Sequence, residues 1–460
     1  MDKDLRLLAG VSKYFTEETL QNAIQKLTGR NNVTITGWTF KPPPTKGNSY
    51  LAQVDRITVF ANVDGRDIEK KLVVKSLPKN VGKRKASRSI EFFHYEINFY
   101  KEVVPAFKEF LESKGQNNLL CVPHFLDSLA DAGHEYLIME DVTVHGFRPI
   151  SRQSSLNMID MNVLLKAMAK FHAISFAYKD QLKDQFEDLV NKLKDTYFRK
   201  YCNWYQNLRV MPNGLIHGFC TQNERQFDYW DWIYPSICKS RDALQLRLMD
   251  SAKKALTKEY PGHPAEEKFN SYKSPNELWN RSANNCSKWH GSTSVISHGE
   301  SWAPNFLVKA ALEDSDESEA ILLDFQFARS SNPVLDLSFL IYACSDKQLL
   351  DDHYDEILET YHSTLSSSIQ SLGSDPQKLY PWTVFMDEVK ERSVHGLIYA
   401  LESVPFSMMD ASKPFDLDDL VNTDIAVDVA DIFVERNIET FESRRRLADL
   451  IIHAHSKGFF

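Results

Sequence analysis

Nowhere in its 460 residues does the sequence carry the run of about 18 uninterrupted apolar residues that a membrane-spanning helix needs. The opening stretch MDKDLRLLAGVSKYF also lacks the apolar core of a secretory signal. The expectation is an intracellular, cytoplasmic protein with no membrane partner. Cysteine is sparse: the six residues, at 121, 202, 220, 238, 286 and 344, show no CxxC spacing. That is too few for a disulfide framework in a chain this long, so they read as reduced thiols in packing roles. A block of one charge is missing too. The formal charge of −9 arises from 54 basic and 63 acidic residues mixed along the chain. Without a basic footprint, DNA and RNA are not expected partners, and no residue pattern points to a protein partner. There is no internal repeat and no long low-complexity linker.

What is present is a large apolar inventory. With 43% hydrophobic and 12% aromatic residues, the chain can bury an extensive core and is more naturally two packed lobes than one unit. Thr16 can cap a helix with Glu17 and Glu18 in its first turn and Leu20, Ala23, Ile24 and Leu27 at helical spacing. The stretches VTITGWTF, YLAQVDRITVFANV and DIEKKLVVKSLP then predict three antiparallel strands, separated by turn-forming residues. A helix follows, on which Phe92, Tyr95, Phe99 and Val103 make an apolar face. Strand-like pieces at Cys121–Ser128 and Glu135–Met139 complete a small sheet lobe, residues 1–140.

Residues 141–460 read as a larger, mainly helical lobe. Within it, Leu164, Leu165, Met168, Phe171 and Ile174 form one apolar stripe, and His172 on that stripe reads as packing. Strands are expected only at FLVK and AILLDFQ, joined by the acidic AALEDSDESE as a solvated hairpin loop.

The chemistry concentrates in ISHGESWAPNFLVK (296–309) and ILLDFQFARSSNPVLDLSFLIYACSD (321–346). An apolar strand ending in Asp324 brings a carboxylate to a sheet edge, and Asn305 offers a second, neutral oxygen. Hard oxygen ligands of this kind suit Mg²⁺, which takes one or two protein groups plus phosphate oxygens. Glu300, five positions before Asn305, can accept the proton of an attacking hydroxyl. Base, ligand, ligand in this order is a phosphoryl-transfer arrangement. Lys75 ends an apolar strand and can project toward phosphates, and Glu96 lies 21 positions later on the helix, placed to orient it. His298 reads as a core histidine that hydrogen-bonds the loop.

In KGNSYLAQVDRITV, EINFYKEVVPAF, YLIMEDV, KFHAISFA, SHGESWAPNFL and LLDFQFARSSNPVLDLSFLIY the chain resembles the insect ecdysteroid kinase-like group, or CHK kinase-like domain, which is related to choline and aminoglycoside kinases. The resemblance implies an α+β, protein-kinase-like two-lobed fold, with ATP and Mg²⁺ as cofactors. It implies that Lys46, Gly47, Asn48 and Ser49 cover the ATP phosphates, although Gly47 equally suits a turn without phosphate. Lys75 and Glu96 resemble the phosphate-anchoring pair. Met139, Glu140, Asp141 and Val142 resemble the hinge that bonds adenine through backbone atoms. Glu300 stands at the base position, Asn305 and Asp324 at the metal positions, and Asp336 resembles the buried carboxylate that braces the catalytic loop.

The acceptor implied is a hydroxyl on a small molecule: an ecdysteroid or related steroid alcohol, or a xenobiotic alcohol detoxified by phosphorylation. The aromatic segments DTYFRKYCNWYQNL and QFDYWDWIYPS could wall an apolar acceptor pocket or belong to the core. One departure is visible: the family usually has Asp where this chain has Glu300. The extra methylene moves the carboxylate by about an ångström, and misplacement on that scale can cost about 10²-fold in rate. The expectation is therefore an ATP-dependent small-molecule kinase, with a nucleotide-binding pseudokinase, acting as scaffold or ligand sink, as the alternative. The chain lacks the HRD and APE segments of protein kinases.

Overall fold

The computed structural model describes residues 3–41, 52–81, 84, 89–131, 133–151, 153, 155–193, 234–287, 291–310, 318–408 and 440–460. Two short helices lead, α1 (Leu5–Val11) and α2 (Glu17–Thr28). Thr16 caps α2 through a reciprocal pair with Thr19, which satisfies amides that the first turn leaves free. Strands β1 (Val33–Lys41), β2 (Gln53–Val63) and β3 (Arg66–Ser76) follow, and β4 (Phe125–Leu129) and β5 (Tyr136–Glu140) complete a five-stranded sheet. Its order is β1-β2-β3-β5-β4, with every neighbouring pair antiparallel.

Strand alternation decides which side chains face each of the two cores. Leu72 and Val74 of β3 and Ile138 of β5 pack with Leu20, Ala23 and Ile24 of α2 in one core. Residues one position along point to the opposite face. Lys75, Leu137 and Met139 therefore turn away from α2, and the latter two join a second core with Phe93 and Ile97.

That second core contains the prominent helix. It runs as α3 (Ser89–Asn98), a π turn (Phe99–Val103) and α4 (Val104–Lys114). The apolar spacing predicts one regular helix; the π turn is a departure that periodicity alone does not mark. Across it Phe99, Tyr100, Val103 and Val104 are all buried, which widens the apolar stripe beyond one α-helical face.

The remaining chain is mainly helical. After β6 (Arg148–Pro149) come α5 (Met158–Gln181), α6 (Lys183–Lys192), α7 (Tyr234–Glu259), α8 (Pro264–Asn270) and α9 (Pro275–Ser287). The strands β7 (Val295–Ser297), β8 (Phe306–Lys309), β9 (Glu319–Leu322) and β10 (Arg329–Ser331) follow. Among the described residues six helices follow: α10 (Pro333–Cys344), α11 (Lys347–Ser371), α12 (Pro376–Leu379), α13 (Trp382–Arg392), α14 (Val394–Ser407) and α15 (Phe441–Ser456). The whole is α+β in a protein-kinase-like arrangement, a small antiparallel sheet with one prominent helix beside a larger helical lobe.

Three expectations need correction. The helical lobe holds more strands than the two expected, because β6 adds to β8 and β9, and β7 pairs with β10. β9 stops at Leu322, so Asp324 lies beyond the strand rather than at its end. Helix α5 carries no single stripe: Ala167, Ala169, Ala173 and Ala177 are buried along with Leu164, Met168 and Phe171. A helix that is apolar around most of its circumference sits inside the lobe, as α5 does.

Candidate active site

The hairpin β8–β9 positions the central residues. The ladder runs Phe306 opposite Leu322, and the Leu323 amide donates to the Asn305 carbonyl at 2.9 Å, so Asn305 and Asp324 emerge at one end of the hairpin. Asn305 closes the 3-10 turn Ala303–Asn305. Its Nδ2 donates to the Glu300 carbonyl at 2.9 Å. A carbonyl only accepts, so this bond fixes the amide's orientation and leaves Oδ1 free to address a cation. Asp324 has φ 66°, left-handed backbone that few residues other than glycine adopt and that short polar side chains tolerate best.

The loop after β7 is held from beneath. Asp336, on the first turn of α10, accepts from the amides of His298 at 2.6 Å and Gly299 at 2.9 Å, and from His172 Nε2 at 3.1 Å. Burial alone would raise its pKa, but the His172 hydrogen bond, the nearby imidazoles and the Gly299 amide outweigh it and hold Asp336 down to about 2. The Tyr361 hydroxyl donates to His172 Nδ1 at 2.7 Å, so His172 is a buried relay as well as packing. His298 Nε2 donates to the Leu323 carbonyl at 2.7 Å while its Nδ1 accepts from the Glu300 amide at 3.2 Å. Both ring nitrogens are spent on backbone, and burial lowers the pKa of this ring. Gly299 has φ +87°, and a Cβ there would lie 2.2 Å from the Phe327 carbonyl oxygen. Only glycine lets the loop come this close.

Lys75 completes the group. Its Nζ reaches Glu96 at 2.6 Å and Asp324 at 2.8 Å, one cation between two carboxylates. Burial works against the ammonium, but Asp324 and Glu96 outweigh it and raise its pKa. Burial, with Asp324 nearby, pushes Glu96 up despite the lysine. Behind the lysine, Phe99 stacks on Phe325 with centroids 3.8 Å apart, and Phe325 lies 4.7 Å from the His298 ring. The π turn, the DFQ segment and the loop after β7 thus share one aromatic stack.

Glu300 is half-buried beside this group, and its carboxylate accepts from Gln326 Nε2 at 2.9 Å. Burial first, then the Asp324 and Glu402 charges, push its pKa up to about 8. Sequence reasoning missed both Gln326 and Glu402. Gln326 stood inside the DFQ motif as a readable signal, whereas nothing local marks Glu402, which α14 brings in from about a hundred positions away.

At the segment expected to act as the hinge, Met139 and Glu140 end β5, where the Glu140 amide donates to the His124 carbonyl and the Asp141 amide to the Lys71 carbonyl, each at 3.0 Å. Val142 begins a 3-10 turn, so its amide has no partner within that helix. Arg56 holds the Asp141 carboxylate at 2.9 Å. Val142, Phe147 and Leu307 pack with Ile321 and Leu323 into a small apolar cluster at the same place. Lys46, Gly47, Asn48 and Ser49 lie outside the described residues, as do the aromatic segment 195–208 and nearly all of 226–236.

A family model for the ecdysteroid kinase-like family matches residues 46–229 and 217–374. The chain belongs to the ecdysteroid kinase-like family. No curated protein matches it. Among solved structures, the choline kinase from Cryptosporidium parvum is 11% identical, covering 93% of this chain and 92% of its own, with a TM-score of 0.37. A microcompartment-associated aminopropanol kinase is 11% identical, covering 95% and 98%, with a TM-score of 0.34. An aminoglycoside phosphotransferase from Streptomyces rimosus, in complex with ADP and streptomycin, is 13% identical, covering 75% and 90%, with a TM-score of 0.30.

In this ecdysteroid kinase-like chain the residues expected from the sequence to act together do converge: Lys75, Glu96, Asn305, Asp324 and Glu300 share one locus, with His298 and Asp336 beneath it. No group of three or more His, Cys, Asp or Glu side chains forms a metal cage among the described residues. Mg²⁺ is usually held by one or two protein oxygens together with phosphates and water. Asp324, with its side chain 28% exposed, and the oriented Oδ1 of Asn305 fit such a donor set.

Proposed function

We propose that this chain is an ATP-dependent small-molecule kinase that transfers the γ-phosphoryl group to an alcohol, with a steroid-like ecdysteroid or a xenobiotic alcohol as the acceptor class. The observation that carries the reading is Lys75 bridging Glu96 and Asp324 while Asn305 and Glu300 stand at the same hairpin end. Lys75 is the phosphate anchor, and Glu96 keeps its ammonium aimed. Asp324 and Asn305 would hold Mg²⁺, which when bound would neutralise charge on the phosphate oxygens. Glu300 takes the proton of the acceptor hydroxyl, and its raised pKa gives that oxygen basicity near neutral pH. The Val142 amide and the apolar cluster around Leu307 receive the base of the nucleotide. Membership of the ecdysteroid kinase-like family supports this choice of acceptor class, and a detoxifying role in the cytoplasm accords with it.

The same rise at Glu300 favours a second reading. A base protonated over much of the neutral range could leave a nucleotide-binding pseudokinase. Mg²⁺-dependent ATP consumption, measured against a panel of steroid and polar alcohols, separates the two. Turnover with at least one alcohol is expected. Tight ATP binding with no turnover across the panel would leave the pseudokinase.

A further inference from the structure

Glu300 is one methylene longer than an aspartate base, so its carboxylate needs something to aim it. Among the described residues, its side chain receives a hydrogen bond from Gln326 Nε2, at 2.9 Å. We propose that Gln326 is a positioning residue for Glu300: its amide anchors the longer carboxylate and sets where the base points. This rests on the kinase reading above.

The scaffold around Gln326 suits that task. Its backbone sits in a tight turn closed by the Ala328 amide donating to the Phe325 carbonyl at 3.1 Å. The residues on either side are pinned by rings, Phe325 against Phe99 at 3.8 Å and Phe327 against Phe92 at 4.6 Å. Gly299 brings the Glu300 loop directly onto the same turn, because even a methyl group there would collide with the Phe327 carbonyl. The two segments therefore hold a fixed separation, and Gln326, 7% exposed, spans it.

The chemistry of the donor also fits. A glutamate has more rotatable bonds than an aspartate and loses more freedom when held. A neutral amide holds it by donating one N–H. A lysine or arginine in its place would add a cation that competes with Lys75 for Asp324 and tie the base into an ion pair. Asparagine would fall short by a methylene. Glu300 and Gln326 are thus matched in reach, long base with long anchor.

Two measurements test this. The first is a crystal structure of Gln326→Leu, a variant of similar shape without the donor. The Glu300 carboxylate is expected to move by about 1 Å or take up more than one rotamer, while Lys75 and Asp324 stay in place. An unmoved carboxylate would overturn the proposal. The second is a kinetic cycle with an accepted alcohol. Gln326→Leu should lower kcat by about 10- to 100-fold with KM for ATP nearly unchanged. In a Glu300→Asp background the same change should matter by less than about threefold, because the shorter side chain ends out of the amide's reach. A purely structural glutamine would cost the same in both backgrounds, and that result would also overturn the proposal. If the wild-type protein turns over no alcohol, the kinase reading fails on its own, and the crystallographic arm still decides whether Gln326 aims Glu300.

Discussion

Asp336 shows how much one buried carboxylate can organise. It accepts three hydrogen bonds and so joins α5, α10 and the loop after β7. Asp336→Asn replaces an acceptor by a donor that must face an N–H, and a buried unpaired group of this kind costs about 1–3 kcal/mol. Urea unfolding at neutral pH should show that loss. The pH dependence has a definite sign. The pKa is depressed from 3.8 to about 2, so the contribution is complete above the unfolded value and disappears as pH falls through the folded one. The shift corresponds to roughly 2 kcal/mol. Melting curves taken between pH 5 and 2 should therefore show wild type and variant converging toward the acid end, and a constant gap would contradict the assignment. Asp324→Asn probes a different property. Asparagine tolerates the left-handed backbone at this position, so the variant should fold while Mg²⁺-supported turnover falls by at least about 10²-fold. Unchanged activity would remove Asp324 from the metal site.

At the scale of elements, the π turn is the feature with the sharpest consequence. It separates the part of the helix that carries Glu96 from the part that carries Phe107, Phe110 and Leu111, all of which are buried. Each residue of an α-helix advances the face by about 100°. Inserting an alanine after the exposed Lys101 adds a residue that the already wide turn has no room to absorb, and rotates one half against the other. Either Glu96 leaves Lys75 or the downstream phenylalanines leave the core. The insertion should cost several kcal/mol in urea unfolding, of the order of losing a buried phenylalanine, about 3–5 kcal/mol. The control Lys101→Ala should stay within about 0.5 kcal/mol of wild type, since it touches only the surface.

For the molecule as a whole, the two cores do not divide where the chain divides. The outer face of the sheet packs with α1 and α2 in a core of its own, whereas the helix from Ser89 to Lys114 shares the large core with α5 and α10. Glu96 is therefore anchored from the helical side and Lys75 from the strand side, and the contact of Lys75 with Asp324 at 2.8 Å ties the sheet to the larger lobe. A ligand that engages both sides should stabilise the fold by mass action, by about 2.7 kcal/mol at a hundredfold excess over Kd. Thermal melts with ATP and Mg²⁺ should show that rise, and EDTA should remove part of it. In Asp324→Asn the EDTA-sensitive part should be missing.

The sequence by itself determined much of the local framework. The capped helix α2, the three strands β1 to β3 and the hairpin β8–β9 follow from apolar spacing and turn residues, which act between near neighbours. Lys75 and Glu96 were legible because each stands on a strand or helix whose side-chain direction follows the backbone repeat, whereas Asn305 and Asp324, which lie in turns at the end of the hairpin, were legible from their order within the two motifs. Only the tertiary structure decided which of these groups meet. Lys75 and Asp324 are 249 positions apart, and His172 and Asp336 are 164 apart. No local pattern specifies such contacts, because they depend on how buried faces pack. The link from Gln326 to Glu300 and the π turn before Phe325 were hidden for the same reason: both are settled by the fit between segments brought together by the core.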